Sequence, residues 1–361
     1  MRIGILTFSA AFNFGAVLQC YALYSTLQDM GHQVKVIDYK PTYLAAYKPV
    51  WGIRDWLNPH ISTIYSRRHE YKYWRKIYDG YNKFEHNYMA MTSPCYTSTE
   101  VKEITSRFDY VIVGSDQVWN TKYNNFDTIW YGDSNSSSGT KWISYAASAG
   151  AVLEDKFSKK AFNSIISNFD SISVREADLR DTLQRMTSKR IELVLDPSLL
   201  PDLNLWEEWS APILASRYII TYQARKSDTI FKIARHISKL LGDIKIIPID
   251  LWDNVKTNGY ETFIANPLQF ISLIKNATCV ITTSFHGTAF SIALGTPFYT
   301  LRLNDGADNR VENLLKGIGL SNRLISYDTL PAFENIDFTD SWKCLKTLRQ
   351  SSFSYLYNSI Q

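Results

Sequence analysis

Short apolar runs rich in β-branched residues alternate with amphipathic stretches along most of the chain. Arg2 to Phe8 reads as a buried strand, and Ser9 to Gly15 as a polar turn. Ala16, Cys20, Leu23, Leu27 and Met30 then recur at helical spacing, which gives one apolar face. Gly31 stops that helix, and Val34 to Ile37 is the next short strand. Strand, helix, strand at this spacing is a βαβ unit, and it implies a parallel sheet. The rhythm resumes with β-rich runs at Tyr110 to Val113, Trp142 to Ala146, Ser171 to Val174 and Ile191 to Leu195. Pro201, Pro212 and the Trp206 to Trp209 stretch break it. A second round starts at Tyr218 to Tyr222. It continues with a helix near 228–241, a strand Ile244 to Ile249 and a helix opened by Asn266-Pro267, good N-cap and N1 residues. The strand Cys279 to Thr282 and a helix from Gly287 complete it.

The pattern predicts an α/β fold with two Rossmann-like domains facing a cleft. Residues 1–205 form the first domain, 206–340 the second, and 341–361 a C-terminal helix that can pack on either. An aromatic and basic insertion spans about 40–100. Tyr71, Trp74, Tyr78, Tyr81 and Tyr88 fall at three-, four- and seven-residue steps, with Arg67, Arg68, Lys72, Arg75 and Lys76 clustered around the first half. One reading is a surface for a lipid-linked or polyanionic acceptor, with peripheral membrane contact. The favoured one is an amphipathic helix packed on the domain with a solvated basic face.

With 361 residues the chain is long enough for two domains, since single cores stop growing at roughly 250–300 residues. A net charge of +4 suits an anionic substrate and is too small to argue for nucleic acid. The four cysteines form no Cys-x-x-Cys pair and have no neighbouring His, so a reduced cytoplasmic protein without a zinc site is expected. Ile3 to Leu23 is fairly apolar, but Asn13, Gly15 and Gln19 interrupt it and make it a poor signal peptide. Leu18-Gln19-Cys20 is no better as a lipoprotein cleavage site, because Gln is too bulky.

Ligands of open α/β sheets sit beyond the carboxyl ends of the strands, so the segments after strands carry the candidate chemistry. In Asn13-Phe14-Gly15-Ala16, helix N-terminal amides can hold an anion that Gly15 lets approach. The dinucleotide fingerprint Gly-x-Gly-x-x-Gly is absent, so Asp38 is weak support for NAD. In Gly114-Ser115-Asp116-Gln117-Val118-Trp119-Asn120, Asp116 can accept a sugar proton and Trp119 can stack on the ring. An Asx-type turn with a packed Trp is the alternative, and the functional reading is the favoured one. Arg175 can clamp a phosphate or carboxylate bidentately, or pair with Glu176 or Asp178 at the surface. In Thr283-Ser284-Phe285-His286-Gly287, Ser284, His286 and Gly287 make an anion site with a titratable group beside it. Asp196-Pro197, Asp308 and Arg310 are weaker candidates of the same kind.

Taken in order, these segments resemble the polysaccharide pyruvyl transferase family. The matching pieces are Asn13 to Gln19, Gly114 to Asn120, Tyr145-Ala146-Ala147-Ser148-Ala149-Gly150, Val174-Arg175-Glu176, Asp196-Pro197, and Val280 through Ser284-Phe285-His286-Gly287 to Pro297. The resemblance implies a fold like the GT-B glycosyltransferases. It also implies phosphoenolpyruvate as donor, a glycan acceptor and a pyruvate ketal as product, with no cofactor beyond the donor substrate and no metal. It places Arg175 and His286 in donor binding. His286 is then expected as the acid or phosphate partner, and Asp116 as the base. Asn13, Gly15, Ser115, Gln117, Trp119, Ser284, Gly287 and Arg310 are expected to contact substrate. Some members have Arg-Leu-His-Gly where this chain has Ser284-Phe285-His286-Gly287, so either Arg302 or Arg310 supplies the missing cation or the donor sits differently. A capsular or exopolysaccharide sugar would be met in the cytoplasm, at the inner face of the membrane if its carrier is a lipid. A nucleotide-sugar glycosyltransferase and a non-catalytic carbohydrate-binding protein are the alternatives.

Overall fold

The computed structural model describes residues 1–41, 43–44, 61–133, 139–150, 156–202, 204–249, 256–304 and 308–361. Four short strands, β1 (Arg2–Leu6), β2 (Gln33–Val36), β3 (Tyr110–Val113) and β4 (Lys141–Ser144), pair in parallel in the order β2-β1-β3-β4. Single bridges from Ile143 to Ser171 and from Ala147 to Val174 extend this sheet to β5 (Ile172–Val174) and β6 (Ile191–Leu193). β3 is Tyr-Val-Ile-Val, buried at every position, as expected for a strand covered on both faces.

The second sheet holds β7 (Tyr218–Tyr222), β8 (Lys245–Pro248), β11 (Cys279–Thr282), β12 (Phe298–Leu301) and β13 (Leu324–Ile325). A two-stranded hairpin, β9 (Lys256–Thr257) with β10 (Tyr260–Glu261), lies outside it. The order β13-β12-β11-β7-β8, read backwards and counted within its own half, is 2-1-3-4-5. The first sheet begins with the same order. Each half therefore has its topological switch point between its first and third strands, where ligands of such sheets bind. The fold is α/β and GT-B-like, with two Rossmann-like halves.

An aromatic seam joins the halves. Phe14, at the start of the helix Phe14–Asp29, stacks on Phe270 of the helix Pro267–Lys275 with ring centroids 4.5 Å apart. Tyr81 and Tyr222 contact the same Phe14 ring. Asn266 caps its helix with a full capping box and Pro267 at the first turn, as the sequence predicts.

The long helix Ile61–Tyr88 packs on this seam. Tyr81 and Phe84 are buried, while Trp74, Tyr78 and Tyr88 are partly buried. Tyr78 and Tyr81 contact Phe12, and Tyr88 contacts Tyr21 and Trp209. The packed-helix reading holds for Trp74, Tyr78, Tyr81 and Tyr88. Arg75 and Lys76 face solvent. The side chains of Tyr71, Arg67, Arg68 and Lys72 lie outside the described residues.

The last helix, Thr339–Ser359, packs on both halves. Trp342 donates to the Ile292 carbonyl in the second half, and Tyr355 donates to the Ser144 carbonyl in the first. No helix among the described residues is long and apolar enough to cross a membrane.

Candidate active site

Asp196 is the hub of the polar groups gathered where the two sheets' carboxyl ends meet. It follows β6 and is 1% exposed. Its Oδ2 accepts from Ser115 Oγ at 3.0 Å and from Arg175 Nη1 at 2.5 Å. Its Oδ1 accepts from the Ser198 amide at 3.0 Å and the Ser198 hydroxyl at 2.6 Å. Burial alone would raise its pKa, but Arg175, His286 and these donors hold the carboxyl well below the usual carboxylate range.

Arg175 reaches this centre from the end of β5. Its Nε donates to Glu176 Oε1 at 3.1 Å, and its guanidinium lies over the Phe285 ring, 4.4 Å from the centroid. The surface ion pair considered for it is replaced by a buried one. Nε and Nη1 each give one hydrogen to these carboxylates. Nη2, buried and unpartnered, is the nitrogen left to a ligand.

His286 enters from the second half, in the first turn of the helix Phe285–Leu294 after β11. Its Nε2 is 3.7 Å from Asp196 Oδ2, too far for a hydrogen bond, and has no other partner. The imidazole packs across the domain boundary onto Gly15. A Cβ at Gly15 would sit 2.1 Å from Nδ1. The space expected for an anion at this glycine is thus filled by the imidazole.

Other candidates fall into two groups. Asp116 and Gln117 are half-buried at the rim beyond β3. Asp116 has φ of 63°, a left-handed backbone that costs a non-glycine residue free energy and often marks a functional turn. Gln117 accepts from Asn120 at 2.8 Å. Arg310 is partly buried among Arg175, Glu176, Asp116 and Arg225, and burial together with the Arg175 charge lowers its pKa. Arg302 instead pairs with Glu312 at 3.0 Å, so Arg310 is the better placed of the two substitutes.

The remaining candidates serve the scaffold. Trp119 is 1% exposed, donates to the Trp130 carbonyl at 2.9 Å and packs on Phe169, so it is a core side chain and no sugar platform. Ser284 caps its helix by accepting from the Gly287 amide. Gly287 is required by packing, since a Cβ there would meet Thr282 Oγ1 at 2.4 Å. Asn13 likewise caps its helix, accepting from the Ala16 amide at 3.2 Å.

Arg225 escaped the sequence reading. It follows β7 and pairs with Asp308 at 2.9 Å, beside Thr283. The strand-end rule that selected the others would have found it. Buried polar atoms without a hydrogen-bond partner accumulate in these same segments: Ser9 Oγ, Gln19 Oε1, Arg175 Nη2, Glu176 Oε2 and His286 Nε2. Such atoms cost about 1–3 kcal/mol each unless something bonds them. Among the described residues, no group of three His, Cys, Asp or Glu is placed to hold a metal ion.

The sequence model of the polysaccharide pyruvyl transferase family matches residues 13–305, more than half of the chain. The chain belongs to that family. The match spans Asn13 and Gly15 at one end and His286 at the other, so Asp196 and its direct partners lie inside it, and Arg310 lies just beyond its end. No curated protein matches the chain. Among solved structures, Arabidopsis thaliana UGT89C1 complexed with UDP-L-rhamnose has a TM-score of 0.52 at 12% identity, over 99% of this chain and 97% of that one. The UDP-GlcNAc 2-epimerase of Methanocaldococcus jannaschii has a TM-score of 0.46 at 13% identity, over 96% and 92%. A putative UDP-N-acetylglucosamine 2-epimerase from Listeria monocytogenes has 0.46 at 10%, over 100% and 90%. At these identities the first of them supports the shared architecture and says nothing of the ligand.

Proposed function

We propose that this family member transfers pyruvate from phosphoenolpyruvate to a sugar of a surface or capsular polysaccharide, forming a ketal and releasing phosphate. The observation that carries the reading is the convergence of Arg175, Arg310 and His286 beyond the carboxyl ends of both sheets, with Arg175 Nη2 and His286 Nε2 unpartnered. Two neighbouring guanidiniums repel each other, and burial together with the Arg175 charge lowers the Arg310 pKa. A ligand with a phosphate and a carboxylate relieves that repulsion and supplies the missing acceptors. Phosphoenolpyruvate is such a ligand.

Ketal formation adds a proton to the donor's methylene carbon and two sugar oxygens to C2, and it expels phosphate. Each sugar hydroxyl gives up one proton. One proton ends in the new methyl group, and the other leaves with phosphate. Asp116, at the rim, is the base for the attacking hydroxyl, and His286 is the partner of the departing phosphate.

The test is a donor and acceptor screen. Purified protein with phosphoenolpyruvate and a panel of lipid-linked and soluble glycans is expected to release phosphate only when a suitable glycan is present. Mass spectrometry should then show the mass gain of a pyruvate ketal. Hexose transfer from a nucleotide-sugar, with phosphoenolpyruvate untouched, overturns the reading in favour of a glycosyltransferase. Glycan binding without turnover of either donor favours a carbohydrate-binding protein.

A further inference from the structure

We propose that Glu176 is the acid that protonates the methylene carbon of the donor, an assignment that rests on the phosphoenolpyruvate reading above. Glu176 occupies the N-cap position of the helix Ala177–Gln184, yet its side chain makes no capping bond. A side chain at that position ordinarily accepts from the first-turn amides. This one is turned into the Asp196 cluster, where the residue is 2% exposed. Oε1 accepts from Arg175 Nε, and Oε2 is buried with no hydrogen-bond partner. An ionised oxygen left unpartnered in a buried place is costly, and a proton on it removes the cost.

The surroundings divide the carboxyls of the cluster by role. Asp196 is saturated with donors and ionised. Burial raises the pKa of Glu176, and the charges of Arg175 and Arg310, with the nearby Ser148 hydroxyl, offset this only in part. Glu176 therefore holds a proton more readily than Asp196, and Oε2 is the atom on which it would sit. Glu176 also adjoins both guanidiniums assigned to the donor.

The step balances as follows. The Oε2–H bond breaks while the C2=C3 electron pair of phosphoenolpyruvate forms the new C3–H bond, leaving C2 electron-poor. A sugar hydroxyl adds to C2 and passes its proton to Asp116. The C2–O bond to phosphate then breaks, its electron pair staying on phosphate, which takes the Asp116 proton. The second hydroxyl closes the ketal, and its proton returns to Glu176. His286 is left to hold the phosphate, which separates carbon protonation from leaving-group binding.

The experiment uses the full chain, phosphoenolpyruvate, and the glycan that the unmodified protein pyruvylates best. Glu176→Gln is expected to bind phosphoenolpyruvate within a few-fold of the unmodified protein by calorimetry, and to lose ~10²–10⁴-fold in kcat. Glu176→Asp, which keeps an acid, should recover at least about tenfold of that loss. A Gln variant that turns over within a few-fold of the unmodified protein overturns the assignment. So does a loss of donor affinity and melting temperature that parallels the loss of turnover, because Glu176 would then only be holding Arg175. If the Gln variant does not fold, Glu176→Ala decides: lower kcat at unchanged KM supports the assignment, and normal kcat overturns it. An unmodified protein that makes no ketal from phosphoenolpyruvate overturns the reading of function and this assignment together.

Discussion

At the scale of single residues, the contact between Gly15 and His286 carries the sharpest consequence. A methyl group at Gly15 must displace the imidazole, since the two would lie 2.1 Å apart. Gly15→Ala and His286→Ala are each expected to lower turnover by roughly 10–100-fold, the worth of one hydrogen bond to the charged phosphate. Because both act on one side chain, the double variant should be no worse than either single one. Steady-state kinetics of the four proteins, with thermal unfolding as a control for folding, reads the coupling. Additive losses would show that Gly15 acts independently of His286. His286 itself was legible in the sequence, as a titratable group after a strand and before a helix. What made Gly15 matter was not legible, because the two residues belong to different halves. Trp119 illustrates the opposite error: an aromatic in a polar loop looks exposed until the fold buries it against Phe169.

At the scale of elements, the long helix Ile61–Tyr88 carries a buried acid in its packed face. Burial pushes the Glu85 carboxyl up to about 8, opposed in part by Lys40 and reinforced by Asp38. The folded protein thus prefers Glu85 protonated. Its contribution is most favourable below the ordinary carboxylate range and is lost as the pH rises towards 8, at up to about 1.4 kcal/mol per pH unit. Glu85→Gln removes the charge and keeps the shape. It should raise the melting temperature clearly at pH 8 and little at pH 5, as scanning calorimetry at the two pH values would show. Equal shifts at both would mean that Glu85 is ionised throughout.

Most elements were readable from the chain because buried parallel strands are unbroken apolar runs. Tyr218–Tyr222 and Cys279–Thr282 have the bounds the sequence suggested. The helix Phe285–Leu294 starts two residues before the expected Gly287, because Ser284 is its cap. β12 and β13 went unread. Phe298–Leu301 follows Gly295 and Pro297 so closely that it looks like the end of a turn, and a two-residue edge strand has no period to detect.

At the scale of the whole molecule, the aromatic seam decides how independent the halves are. Domains joined by small polar contacts move freely, whereas a large apolar contact couples them. Phe14, Phe270, Tyr81 and Tyr222 form such a contact, and Phe14 is the chain neighbour of Gly15. The unmodified protein should therefore unfold in urea as one transition. Phe270→Ala is expected to cost about 3–5 kcal/mol and to separate unfolding into two steps. A single transition displaced by under about 1 kcal/mol would mean that the seam does not bind the halves together. The seam could not be foreseen, since helical spacing reports that a face is apolar and not which face it meets.

The last helix adds a constraint in time. Ser352 and Tyr355 bond to Leu195 and Ser144 of the first half, and Tyr110 bonds to Gln361. A growing chain folds its early domain first, at about 5–20 residues per second. Here the first sheet waits for its closing helix while the entire second half is being made, for roughly ten to thirty seconds at that rate. During synthesis, the apolar surface at Tyr145 that Tyr355 later covers stands open. A ribosome stalled before residue 339 would hold a first half complete in its strands but unsealed, a target for chaperones that the finished molecule no longer presents.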